Sequence, residues 1–182
     1  MNPDLEPCPG CQALWPRVEG PTHRYIGASP SCWAIYTTVL GGEIPVLGLP
    51  VQTAEPVPLQ RPLSRELLVD AYAAQHPGEP SPQAIQSVAV HLLALHAVID
   101  QGVAPEHLLW VRRCAVRERG VFRWLEPPSF RDRLNIGHVA VAADEAERRR
   151  RVGEYAVSVW TTWAETYRQV VSEWHERFVN SE

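Results

Sequence analysis

The sequence predicts a mainly α-helical protein, a body of about five helices preceded by a loop-rich, cysteine-bearing head, and three observations carry that expectation. Apolar residues recur at intervals of three and four over two long stretches, Ile85-Val88-Leu92-Leu95-Ile99 and Val152-Ala156-Val159-Trp163-Tyr167-Val170-Trp174-Phe178, the period of a helix face turned to a core. The dipeptide Ser-Pro opens two such candidate helices, at Ser29-Pro30 and Ser81-Pro82; the serine hydroxyl caps a helix start, and proline presets φ for its first position. Residues 1–28, by contrast, are rich in turn formers and show no periodicity, and three of the four cysteines fall at or before Cys32.

The 182 residues suit a single domain, long enough to bury a real core. Within it we expect a head with a first helix over 1–42, a connector over 43–62 and a helical body over 63–182. The first helix runs from Ser29-Pro30 until Gly41-Gly42, which places Cys32 in a first turn, where the helix dipole favours a thiolate. The connector holds Pro45, Pro50, Pro56, Pro58 and Pro62, a density that excludes helix and central strand. A second helix is expected over about 63–76, with Leu67, Leu68, Ala71 and Ala74 as its stripe and Pro77-Gly78 as its stop. A third starts at Ser81-Pro82 and ends near Gln101-Gly102, and a fourth spans Pro105 to Glu118. Residues 121–130 read as a short strand or extended loop, and 134–143 as a short helix. The last helix opens on Asp144-Glu145-Ala146-Glu147, a capping box, and keeps its spacing for about 30 residues.

Composition narrows the function classes. A net charge of -4 and a pI near 6.0 give no electrostatic case for nucleic acid or an anionic membrane. All 17 basic residues are arginine, which points to a GC-rich bacterial coding sequence and excludes lysine Schiff-base and P-loop lysine chemistry. We expect no transmembrane helix, because no apolar run reaches the ~18 residues a span requires. The start Met1-Asn2-Pro3-Asp4 lacks the basic and apolar regions of a signal peptide. The expected compartment is therefore the cytoplasm, where clustered thiols signal metal or redox chemistry more often than disulfides. Seven tryptophans, most of them in the second half, read as core area; the Trp-rich last helix suits either a core or a homodimer seam.

The cluster Cys8-x2-Cys11-x11-His23-x8-Cys32 has the donor set of a tetrahedral Zn2+ site. A two-residue gap lets two thiolates of one turn reach the same ion. Pro9-Gly10 inside that gap suits a tight knuckle. The spacing of His23 and Cys32 is less regular, and His76 is an alternative ligand in place of His23. No strand–helix pattern of thioredoxin type surrounds Cys8 and Cys11, so a thiol redox sensor is the lesser reading. A second constellation comprises Asp70, Tyr72, His76 and His91. Asp70 and His76 sit on different faces of one helix, but the turn His76-Pro77-Gly78 could bring His76 together with Gln83, Gln86, Ser87 and His91, which follow it. A histidine there would serve as acid or base near neutral pH, which makes His76, His91 and Asp70 the catalytic candidates. His96 reads as a core histidine, and His107, His138 and His175 as surface. Arg148-Arg149-Arg150-Arg151 follows Asp144, Glu145 and Glu147 on one helix, so intrahelical pairing is expected to absorb it.

Several of these motifs occur together in one known family. Cys8-Pro-Gly-Cys11, Pro21-Thr22-His23-x-Tyr25, Ser29-Pro30-x-Cys32-Trp33, Val69-Asp70-Ala71-Tyr72-x-x-Gln75-His76-Pro77-Gly78, Gln86-Ser87-Val88-Ala89-Val90-His91-Leu92 and Trp124-Leu125-Glu126-Pro127-Pro128 resemble a family of bacterial proteins known only as a domain of unknown function. The resemblance covers nearly the whole chain. It implies that Cys8, Cys11, His23, Cys32, Asp70, His76 and His91 are the positions to test, and it implies no reaction. The expectation is a small cytoplasmic bacterial zinc protein whose metal is mainly structural and whose helical body binds a protein or small-molecule partner. A metal-dependent enzyme, with a pocket between the head and the His76–His91 turn, is the alternative.

Overall fold

The computed structural model describes residues 4–41, 62–104, 107–117 and 120–178. Among these lie two short strands, β1 (Leu5–Pro7) and β2 (Leu14–Pro16), and six helices, α1 (Pro30–Gly41), α2 (Pro62–Gln75), α3 (Pro82–Ile99), α4 (Leu108–Arg117), α5 (Ile136–Ala140) and α6 (Glu145–Phe178). The mainly helical expectation holds. The connector expected over 43–62 lies outside the described residues except for Pro62, as do Pro105 and Glu118, the expected bounds of α4.

The head is more regular than expected. β1 and β2 pair antiparallel, with Glu6 opposite Trp15, and the Cys8–Cys11 turn closes the hairpin. Cys8 N donates to the Ala13 carbonyl at 2.9 Å and Gln12 N to the Cys8 carbonyl at 2.9 Å. Three-residue strands that each end on proline carry too little alternation to be read from sequence.

The helix starts follow their caps. The Ser29 hydroxyl accepts from Cys32 N at 3.4 Å and the Ser81 hydroxyl from Ala84 N at 3.1 Å. At α6 the Asp144 carboxylate accepts from Glu147 N at 2.7 Å, while the Glu147 carboxylate accepts from Ala143 N, one residue before the cap. Residues 121–130 form an extended loop, not a strand.

The core is built around α3, which packs against α2, α4 and α6, with α2 also lying on α6. Contrary to expectation, α3 is long and apolar enough to cross a membrane by length and composition. Neighbours on three sides account for that apolarity, and Leu92, Leu93, Ala94 and Leu95 are fully buried. Trp160 and Trp163 of α6 are buried as well, so their apolar stripe is core. His175, expected at the surface, is also buried and meets the His96 ring edge-on at 5.3 Å. The arginine run pairs along its own helix, Arg149 with Glu145 at 3.2 Å, Arg151 with Glu147 at 2.7 Å, and Arg150 with Glu154.

One polar link ties α2 to α6 and to the loop before α5. Buried Gln75 accepts from the Tyr155 hydroxyl at 2.7 Å and donates to the Leu134 carbonyl at 2.8 Å. Tyr155→Phe leaves that amide oxygen buried without a donor, and urea denaturation should show a loss of about 1–3 kcal/mol.

Candidate metal centre and adjoining cavity

The head is seated on the C-terminal end of α2 by backbone contacts. Gly27 N donates to the His76 carbonyl at 3.0 Å, and Ile26 forms an isolated bridge with Pro77. Such an approach leaves no room for side chains: a Cβ on Gly27 would lie 2.5 Å from the Pro77 oxygen, and one on Gly10 would lie 2.5 Å from the His76 ring.

This seating brings Cys8 and Cys11 of the knuckle, Cys32 of the first turn of α1, and His76 just past α2 into one group. Their ligand atoms all lie within 4.8 Å of one another, and all four residues are buried. Cys11 Sγ is 3.9 Å from Cys32 Sγ, and Cys32 Sγ is 3.3 Å from His76 Nε2. No disulfide joins the cysteines. Nδ1 of His76 lies 2.9 Å from the Tyr72 carbonyl. Because that oxygen only accepts, Nδ1 carries a proton, which leaves Nε2, facing the sulfurs, as the atom a metal would take. Ser29 N donates to Cys8 Sγ at 3.4 Å and the Tyr72 hydroxyl to Cys32 Sγ at 3.6 Å, an outer layer of donors for thiolate charge.

The electrostatics suit a cation. Hydrogen bonds from Cys11 and Cys32 pull the Cys8 thiol down, whereas its sulfur neighbours and burial push Cys32 up. One thiolate is therefore easily held, and further negative charge in the same buried space is opposed. Burial alone would lower the His76 pKa, but the hydrogen bonds and charge of Cys11 and Cys8 outweigh it and raise the value to about 9. A divalent ion reverses this balance by drawing protons off all the ligands. The group could hold a metal ion.

The sequence-predicted residues separate here. His23, the ligand first favoured by spacing, is exposed, and its Nδ1 accepts from Tyr25 N at 3.3 Å while its ring lies against Trp33. The alternative, His76, occupies the fourth corner. Both ring nitrogens of His76 have partners, Nδ1 the Tyr72 carbonyl and Nε2 the Cys32 sulfur. Asp70 and His91 meet on a different face of α2: His91 Nδ1 lies 2.7 Å from Asp70 Oδ1, and Arg112 of α4 donates to Asp70 Oδ2 at 2.6 Å. His91 lines a cavity of about 240 Å3 that Tyr25 and Trp33 also line, between the head, α1, α2 and α3. Arg112 escaped the sequence reading because no motif marks it; the one available signal was that a buried Asp70 demands a cation. Trp33 and Tyr36, also cavity residues, were legible only as core aromatics.

Gly10→Ala tests the seating of the head. Its new methyl must displace the His76 ring or the Gly27 carbonyl, an overpacking cost of about 1–3 kcal/mol. Competition with a chromophoric chelator should show weaker metal retention by this variant.

The sequence model of a family described as a family of unknown function (DUF5946) matches residues 6–164, a span that contains all four cluster residues. No curated protein and no solved structure matches the chain.

Proposed function

The chain belongs to this family of unknown function, and from its Cys3His group we propose a small cytoplasmic bacterial zinc protein in which the ion is structural, clamping the hairpin head to α1 and α2. The single observation that carries the reading is the closed set of four buried donors within 4.8 Å. Three sulfurs and one imidazole are a zinc-type ligand set, and four protein ligands leave no open position for a substrate or water. A tetrahedral ion with metal–sulfur bonds of about 2.3 Å spaces its sulfurs about 3.8 Å apart; the Cys11–Cys32 separation of 3.9 Å fits that edge. With the head clamped, the helical body offers its binding surface to a partner or small ligand.

Purified protein should contain about one zinc per chain. X-ray absorption should show three sulfurs near 2.3 Å and one nitrogen near 2.0 Å, the values of closed structural sites. A chain without stoichiometric metal, or an ion that keeps a water ligand, overturns the structural assignment.

A further inference from the structure

The cavity beside the metal centre has the parts of a ligand site that the clamp does not use. Asp70 is completely buried, and both its oxygens are engaged, Oδ1 by His91 and Oδ2 by Arg112. A carboxylate held this way accepts from the Nδ1–H of His91, which sets the tautomer and leaves the lone pair on Nε2. No hydrogen bond reaches Nε2 from any described residue, and the His91 side chain keeps 18% of its surface exposed on the cavity wall. Flat aromatic rings form much of the remaining wall, where Tyr36 and Tyr72 stack at 3.8 Å with Trp33 tilted against both, and His23 and Gln83 add polar groups to the lining. Ser87, one turn before His91 on α3, adds a hydroxyl.

Size and charge narrow the occupant. An apolar cavity of roughly 150 Å3 holds one benzene, so about 240 Å3 takes one ring with a small substituent. No arginine, aspartate or glutamate lines the cavity. Asp70, in contact with His91, is already paired with Arg112, so no unpaired charge in the wall calls for an ionic ligand.

We propose that this cavity binds a small uncharged ring compound carrying one O–H or N–H group, which donates to His91 Nε2. Asp70 and Arg112 act as positioning residues that hold the imidazole in its accepting tautomer. This deepens the reading that the helical body takes a small ligand, and it does not depend on which ion sits in the clamp.

The test is an NMR titration of the metal-loaded full chain with p-cresol, 4-methylanisole and 4-methylbenzoate, with metal content measured on every sample. We expect p-cresol to shift Trp33 and His91 resonances saturably and to bind about tenfold more tightly than the ether, the worth of one net hydrogen bond. The anion should not saturate. His91→Phe should erase the preference for cresol, and Ser87→Leu, which fills the cavity without touching the Asp70–His91 pair, should abolish cresol binding. Nitrogen shifts of His91 should report a protonated Nδ1. The proposal is overturned if no probe binds at these residues, if ether and phenol bind equally, if the preference survives His91→Phe, or if Ser87→Leu leaves cresol affinity unchanged. Loss of metal without loss of cresol binding, or the reverse, tells a failed clamp from a failed cavity.

Discussion

Replacing His76 by alanine should release an ion held by the Cys3His group, whereas the same change at His23 should leave it bound. His76 closes a buried four-donor set with its Nε2 3.3 Å from Cys32 Sγ, so its removal leaves three sulfurs, an open corner and a cavity where the ring stood. The ring also stacks on Tyr72 at 4.1 Å, and that contact is lost as well. Structural zinc in small domains is worth apparent free energies of about 10–16 kcal/mol, as large as the whole stability of a typical domain. Even a loss of about 3 kcal/mol lowers Tm by about 6–12 °C in a chain of this size. Metal analysis of the dialysed variants, with thermal melts alongside, checks the result: near-zero metal for His76→Ala, and wild-type content and Tm for His23→Ala. Equal retention by both would remove the imidazole from the ligand set.

Trp163→Ala has the second large effect, and it acts on the body instead of the head. The indole is completely buried, packs near Phe130 and Tyr167, and donates from Nε1 to the Ala74 carbonyl at 3.0 Å. Truncation loses the ring's burial, leaves a cavity between α2 and α6, and strips a buried carbonyl of its donor. Buried tryptophan-to-alanine changes cost about 3–5 kcal/mol. Denaturant unfolding should show that loss as a lower midpoint, and below the transition the folded fraction should still hold its ion, since no ligand has changed. A loss under about 1 kcal/mol would mean that α6 does not pack on α2 through this ring.

Much of the body was legible because local physics writes it. The Ser29 and Ser81 caps, the proline at each first turn and the stripe from Ile85 to Ile99 act within one or two turns of chain, so their pattern survives any tertiary arrangement. The hairpin was not legible, because its pairing is decided by hydrogen bonds across the Cys8–Cys11 turn and not by alternation in three-residue strands. Burial of His175 escaped for a related reason: its partner across the core, His96, is 79 positions away in sequence.

The sequence by itself determined that three cysteines gather in the head, that Cys32 sits in a capped first turn, and that Asp70, His76 and His91 are the polar residues to watch. Only the tertiary structure decided between His23 and His76. Spacing along the chain ranks ligands by nearness in sequence, and His23 lies inside the head, while His76 arrives from another helix. What brings it there is the fit of Gly10 and Gly27 against the end of α2, where a single Cβ would collide with the His76 ring or the Pro77 carbonyl. The same packing sends His76, just past the end of α2, and Asp70 in different directions, giving one to the sulfurs and the other to His91 and Arg112. A contact among helices distant in sequence is set by shape and burial over the whole domain, and no local pattern carries that information.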